Sequence, residues 1–199
     1  MEYTKERILY AALKLFASDG YEATSVSSIA GMLGMTKGAL YRHYQNKQDI
    51  LTSILERMEE KDAGQAQAFS LPEGTRETMP QAYRQITLQQ LMAFSRAQFA
   101  YWTQDPVAEL FRKMLTLEQY RNEEMKKLYH RYFSDGPLGY TTDLLCSLGC
   151  KQAQQLALRF YAPMLLLYAL HDQKNPQTSS LMEQHFTAME AILTEEIGK

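Results

Sequence analysis

Cysteine is nearly absent: Cys146 and Cys150 are the only two among 199 residues, too few for a disulfide framework. Their four-residue spacing would suit a metal or a redox pair, but no histidine lies close in sequence to complete a ligand set. Small, partly buried side chains are expected there, and no metal or cofactor. The chain also lacks a glycine-rich phosphate loop, a metal-ligand cluster and a serine or cysteine nucleophile in a recognisable context, so catalysis is not expected. Glu118 and Glu123 are paired carboxylates only in that both fall on helices. Long apolar runs are missing too. The longest, Phe160 to Leu170, follows Arg159, contains Pro163 and is about half of what a membrane span needs. Thr4, Lys5, Glu6 and Arg7 open an amphipathic segment where the apolar core of a signal peptide would begin. A cytoplasmic protein without a membrane partner is the expectation.

Charge is scarce in one sign over one stretch. The net charge is −2 with a pI near 6.1, which argues against a nonspecific nucleic-acid coat. Between Ala23 and Gln48, however, no acidic residue occurs, while Lys37, Arg42 and Lys47 do, with His43 beside them. A positive spot on an otherwise acidic chain suits local docking to phosphates.

What is present is helical periodicity from end to end, without strand-like alternation, repeats or low-complexity tracts: the expected class is all-α. Ile8, Ala12, Leu15 and Phe16 form one stripe of a first helix, with Thr4 as N-cap and Asp19-Gly20 as its stop. A second helix starts at Thr24-Ser25 and ends before Gly34. A third covers Thr36 to Tyr44, and a long connecting helix runs from Gln45 or Asn46 to about Phe69. Leu71-Pro72-Glu73-Gly74-Thr75 reads as a loop, and Thr78-Met79-Pro80-Gln81 as a capping box opening a helix to about Thr103. Asp105-Pro106 and Asn122 are further start signals, and Asp135-Gly136-Pro137 is a break. The last two helices cover about Lys151–His171 and Thr178–Ile197.

Ser25 to Lys47 carries the function. Ile29, Leu33, Met35 and Leu40 provide the apolar side of two short helices, Ala30 permits a close crossing, and Gly34 occupies a turn where positive φ is needed. This is the layout of a helix-turn-helix, whose second helix enters the major groove while the N-terminus of the first faces a phosphate. Thr24 and Ser25 are therefore placed at a phosphate, and Thr36, Lys37, Gly38 and Ala39 begin the recognition helix. Lys37 suits guanine O6/N7, the methyls of Thr36 or Ala39 suit a thymine methyl, and Gly38 permits close backbone approach. Tyr41, His43 and Lys47 suit phosphate oxygens; Arg42 suits either role. Tyr44 reads as core.

The run Phe16-x3-Gly20-Tyr21-x2-Thr24-Ser25-Val26-x2-Ile29-Ala30-x3-Gly34-Met35-x-Lys37-Gly38-Ala39-Leu40-Tyr41-x2-Tyr44-x2-Lys47-x2-Ile50-Leu51 resembles the DNA-binding head of the tetracycline-repressor (TetR) family over about Ile8–Leu51. Ser27, Ser28 and Gly31 stand where relatives often carry charge. The resemblance implies a homodimeric transcriptional regulator, a repressor by expectation, each head reading one half of a pseudo-palindromic duplex operator. It also implies a small-molecule effector site in a helical body. The expected domains are 1–48 for DNA binding and 49–199 for effector binding and dimerisation. The alternative is a regulator controlled by a protein partner instead.

The body is rich in aromatics and methionine, side chains suited to an adaptable apolar pocket. Phe99, Trp102, Met114, Tyr120, Arg121, Tyr161, Met164 and Tyr168 are the candidate lining. Met182, Phe186, Met189, Leu193 and Ile197 recur at four- and three-residue steps as a seam. With Leu158 and Leu165 of the preceding helix, which is apolar nearly all round, that seam is the expected dimer interface.

Overall fold

Good helix formers between strong start and stop residues leave no other regular structure. The computed structural model describes residues 2–198, with side chains from Thr4, and every regular element among them is helical. The elements are α1 (Glu2–Asp19), α2 (Val26–Met32), α3 (Lys37–Tyr41), α4 (Lys47–Ala68), α5 (Pro80–Tyr83), α6 (Leu88–Gln104), α7 (Pro106–Glu118), α8 (Glu123–Phe133), α9 (Asp135–Ser147), α10 (Ala153–Asp172) and α11 (Thr178–Ile197). None is long and apolar enough to cross a membrane.

Several punctuation residues act as their chemistry dictates. Asp105 Oδ1 accepts from the Val107 and Ala108 N–H groups at 2.9 Å each, and Asn122 Oδ1 accepts from Glu124 and Met125. Gly20 stops α1 at φ +93°, a conformation that penalises any Cβ.

Other expectations are corrected. α1 begins at Glu2, upstream of Thr4, so Thr4 is not its cap. The single helix expected over 78–103 is two. The Thr78 hydroxyl donates to the Thr75 carbonyl, and Met79 caps α5 without a side-chain bond. A second start lies at Thr87, whose hydroxyl accepts from the Gln90 N–H while Gln90 Oε1 accepts from the Thr87 N–H. This reciprocal box competes with continuing the helix through Thr87. The break expected at Asp135-Gly136-Pro137 is present, with α8 ending at Phe133, and the same residues open α9. Pro137 falls in the first turn, where a backbone N–H has no helical acceptor to lose.

The chain divides into two compact units: residues up to Asp62 together with Gln104–Tyr129, and Ala63–Thr103 together with His130 onward. In the first unit α1 packs along α7 and on α2, and α2 on α3. Ile8, Phe16, Ile29, Leu40, Ile50 and Phe111 are fully buried there. Each such side chain is worth about 1.5–3 kcal/mol of burial, which is what holds helices as short as α2 and α3.

In the second unit α10 packs against α9 and α11, and α5 against α9. The seam assigned to the dimer interface is spent here. Phe186 and Leu193 have no exposed surface and Met189 only 4%, with the Phe186 ring 6.0 Å from Phe160; Met182 is half-buried. A single chain thus buries the α11 stripe against α10. The other side of α10 stays exposed at Leu158, Leu165 and Leu166, as does Leu181 on α11.

Tyr83 of α5 is buried, and its hydroxyl donates to the Gly74 carbonyl at 2.9 Å. Burial, reinforced by Asp143, pushes its phenol up to about 12. A folded value raised above the unfolded one means the stabilisation is complete below about pH 10 and lost as pH climbs to about 12. Tyr83→Phe cannot ionise. Between pH 9 and 12 it should lose about 2–3 kcal/mol less stability than the parent chain, on the scale of 1.36 kcal/mol per unit. Parallel urea melts across that range are the measurement; coincident pH profiles would contradict it.

Candidate nucleic-acid interface

The helix-turn-helix is assembled by caps and one glycine turn. Ser25 caps α2 in a closed pair: its hydroxyl accepts from the Ser28 N–H, and the Ser28 hydroxyl accepts from the Ser25 N–H, both at 3.0 Å. Gly34 takes φ +65° as expected, and the following Met35 N–H closes back on the Ala30 carbonyl at 3.0 Å. Thr36 then caps α3 by accepting from the Ala39 N–H at 3.1 Å. α3 ends at Tyr41, three residues earlier than expected. Leu40, without exposed surface, anchors it.

Around that anchor Ser25, Thr36, Lys37, Gly38, Tyr41 and Arg42 are exposed, and Ala39 and His43 are half-buried. A Cβ added at Gly38 would meet nothing within 4 Å, so the bare backbone there faces open space. Lys37 Nζ lies 5.6 Å from the Tyr41 ring centroid. Tyr44 is core, 4% exposed. A cationic, hydroxyl- and aromatic-bearing surface with a bare backbone patch has the donors that phosphates and base edges accept from.

Two expected contact residues have other work. Thr24 is buried, and its hydroxyl donates to the Gly20 carbonyl at 2.8 Å, so it closes the α1–α2 turn. Lys47, expected on a phosphate, directs its ammonium to the Tyr21 carbonyl at 2.6 Å and the Glu22 carbonyl at 3.3 Å. It lies 4.2 Å from the Tyr21 ring centroid. Its ion pair with Glu22 is long, 3.8 Å, and exposed on the acid side, so the carbonyl bonds dominate.

Tyr21 is the residue that sequence reading passed over. Its N–H donates to Glu118 Oε1 at 2.9 Å, its hydroxyl donates to Gln48 Oε1 at 2.8 Å, and its ring sits 5.0 Å from Phe16. Burial first, and then the charges of Glu22 and Glu124, raise its pKa. Glu118, at the end of α7, is 1% exposed. No local pattern signals its role, since its partner stands 97 residues away.

The candidate effector residues fall in both units. In the first, Met114 is buried, while Tyr120 is 88% exposed and Arg121 exposed. In the second, Phe99 stacks on Tyr168 at 5.3 Å with rings 7° from parallel, and Trp102 meets Phe133 edge-on at 4.7 Å. Met164 is buried and Tyr161 half-buried. Phe133 also lies 6.2 Å from Tyr168, a neighbour the candidate lining omitted. Gln98, four residues before Trp102, has a buried Oε1 with no hydrogen-bond partner. Cys146 is half-buried and Cys150 buried, and burial pushes the Cys150 thiol up.

Glu118→Ala would leave the buried Tyr21 N–H without an acceptor, a loss of about 1–3 kcal/mol. Urea unfolding of the full chain measures it. A change under about 0.5 kcal/mol, the range of neutral surface substitutions, would show that the carboxylate is dispensable to the turn.

Comparison with known proteins bears on the same segment. Residues 8–54 match the family model described as bacterial regulatory proteins, tetR family. The HTH-type transcriptional regulator AcrR of Shigella flexneri is 42% identical over 53 residues, 27% of this chain and 25% of that one. The HTH-type transcriptional regulator QacR of Staphylococcus aureus is 27% identical over 141 residues, covering 67% of this chain and 71% of the relative. The matched segment spans only about a fifth to a quarter of the first curated relatives. Among solved structures, a SmeT–triclosan complex superposes with a TM-score of 0.63 at 20% identity, covering 96% of this chain and 91% of that one. A gamma-butyrolactone receptor gives 0.59 at 20% identity, over 98% and 97%. These share the all-helical fold. The helix-turn-helix segment is thus in register with the tetR family of bacterial regulatory proteins over residues 8–54, within an all-helical fold shared with these structures.

Proposed function

We propose that this protein is a transcriptional regulator that binds a pseudo-palindromic duplex operator as a homodimer, through α3, and whose operator affinity is set by a small apolar ligand. The observation that carries the DNA-binding reading is the acid-free surface of Thr36, Lys37, Gly38, Tyr41 and Arg42, exposed around the buried Leu40. Exposed Leu158, Leu165 and Leu166 on α10 with Leu181 on α11 support a second copy of the chain as partner, because large apolar side chains grouped in solvent mark an interaction site. The interface is thus assigned to this side of the helices, not to the buried Phe186 seam.

For the ligand, the supporting feature is the aromatic group of Phe99, Trp102, Phe133 and Tyr168, with the buried, unpartnered Gln98 Oε1 one turn before Trp102 in α6. A carbonyl oxygen buried without a donor is costly; a ligand hydroxyl or amine would satisfy it while its apolar body packs on the rings. A triclosan complex and a gamma-butyrolactone receptor among the structural neighbours support a small-molecule effector.

Operator duplexes selected from random sequence test the DNA reading. Lys37→Ala should relax preference at one base pair per half-site by about 1–3 kcal/mol. Lys47→Ala should destabilise the chain and leave the salt slope of binding unchanged, since its ammonium holds the Tyr21 turn. A slope lower by about 2 per dimer would put Lys47 on phosphate in the complex. Leu158→Glu/Leu166→Glu should sediment as a monomer and bind half-sites only; an unchanged dimer would move the interface elsewhere.

Trp102, the only tryptophan, reports on the ligand. A compound that quenches it at saturation should change operator affinity by roughly 5–150-fold, the range of ordinary allosteric coupling. Quenching with operator affinity unchanged across all such compounds would remove the regulatory part of the proposal, because equal affinity for both states shifts nothing.

A further inference from the structure

A groove of about 420 Å³ opens on the first unit between α1, α2, α4 and the start of α7. Its volume falls in the range of about 300–1,000 Å³ that small-molecule sites occupy. Leu9, Leu13 and Ile54 form its floor and are themselves buried, while Tyr10 and Met32 line it with 43% and 45% of their surface exposed. Two large apolar side chains from different helices therefore face solvent over a common apolar floor. Scattered exposed residues need no explanation, but apolar groups gathered in one concavity do.

The rim is predominantly cationic. Arg7, Lys14 and Arg57 line the groove against a single carboxylate, Glu6, which pairs with Arg57. Arg7 and Lys14 stand seven residues apart on α1, two turns along one face, so their side chains mark points about 10 Å apart. Lys14 is exposed and has no partner among the described residues. An apolar floor is a poor seat for a phosphate backbone, which is hydrated along its length, and the cationic excess disfavours a cationic guest. An apolar body bearing one anionic group satisfies both features.

We propose that this groove binds a small amphipathic anion, with a hydrocarbon or aromatic body on Leu9, Leu13, Tyr10 and Met32 and a carboxylate or sulfonate at Lys14. The site uses none of the α3 surface residues and none of the aromatic group around Trp102, so it stands apart from the regulatory reading.

The test is methionine-methyl carbon-13 NMR of the full chain, with Met32→Leu identifying the Met32 resonance. Dodecanoate is titrated below its micelle concentration, in parallel with dodecyl maltoside and dodecyltrimethylammonium. The Met32 methyl should shift saturably with dodecanoate. The neutral and cationic probes should bind at least about ten-fold more weakly, a difference of about 1.4 kcal/mol. Lys14→Glu, at an exposed position that leaves the core untouched, should weaken dodecanoate by a similar factor. A Met32 methyl that stays still overturns the site. Equal response to all three probes, or Lys14→Glu within two-fold of the parent, overturns its preference for anions. Ligand binding near Trp102 would move other methyls and leaves these outcomes distinct.

Discussion

The peptide group of Tyr21 is the constraint around which the first unit is arranged. A buried turn between α1 and α2 must satisfy its backbone donors and acceptors, and two helices far apart in sequence, α4 and α7, do so. Glu118 of α7 takes the N–H, Lys47 of α4 takes the carbonyl, and Gln48 takes the phenol. Gly20 completes the arrangement: a Cβ there would sit 2.7 Å from Glu118 Oε1, on a backbone already at φ +93°. Magnitudes rank these contacts. Bonds involving a charged partner are worth about 1.5–3 kcal/mol, whereas an exposed ion pair such as Lys47–Glu22 contributes about 0–1 kcal/mol. Lys47 is therefore a backbone clamp first.

The bond from the Tyr21 N–H to Glu118, together with the packing of α1 along α7, holds α7 in the same compact unit as the helix-turn-helix, although it follows α1 by nearly ninety residues. A five-residue helix such as α3 has no independent stability. It persists because Leu40 is buried among neighbours held by the packing of α1, α2 and α7. The exposed residues of α3 are thereby presented on a support whose own polar groups are satisfied, as a surface that must keep its register on a duplex requires.

α10 has two apolar sides with different surroundings. It is apolar nearly all round, and one side takes the α11 stripe of Phe186, Met189 and Leu193. The opposite side keeps Leu158, Leu165 and Leu166 in solvent. The periodicity of α11 was readable as an apolar seam; which surface would cover it was not, because a stripe looks the same whether it meets its own chain or a copy.

The sequence alone determined the helical class, most helix starts and stops, and the helix-turn-helix with its Gly34 turn. Each depends on interactions within a few residues: caps, glycine conformations and three-to-four-residue apolar spacing. Local chemistry also misled where it had two outcomes. Thr87 began a new helix inside an apolar run. Only the tertiary structure decided that Thr24 and Lys47 turn inward, that Glu118 caps a turn 97 residues away, and that the Phe186 seam is core. Those outcomes depend on which donor meets which acceptor across distant helices, and on which of two apolar faces a neighbour covers. Neither quantity has a local signature, because both are set by packing after the helices have formed.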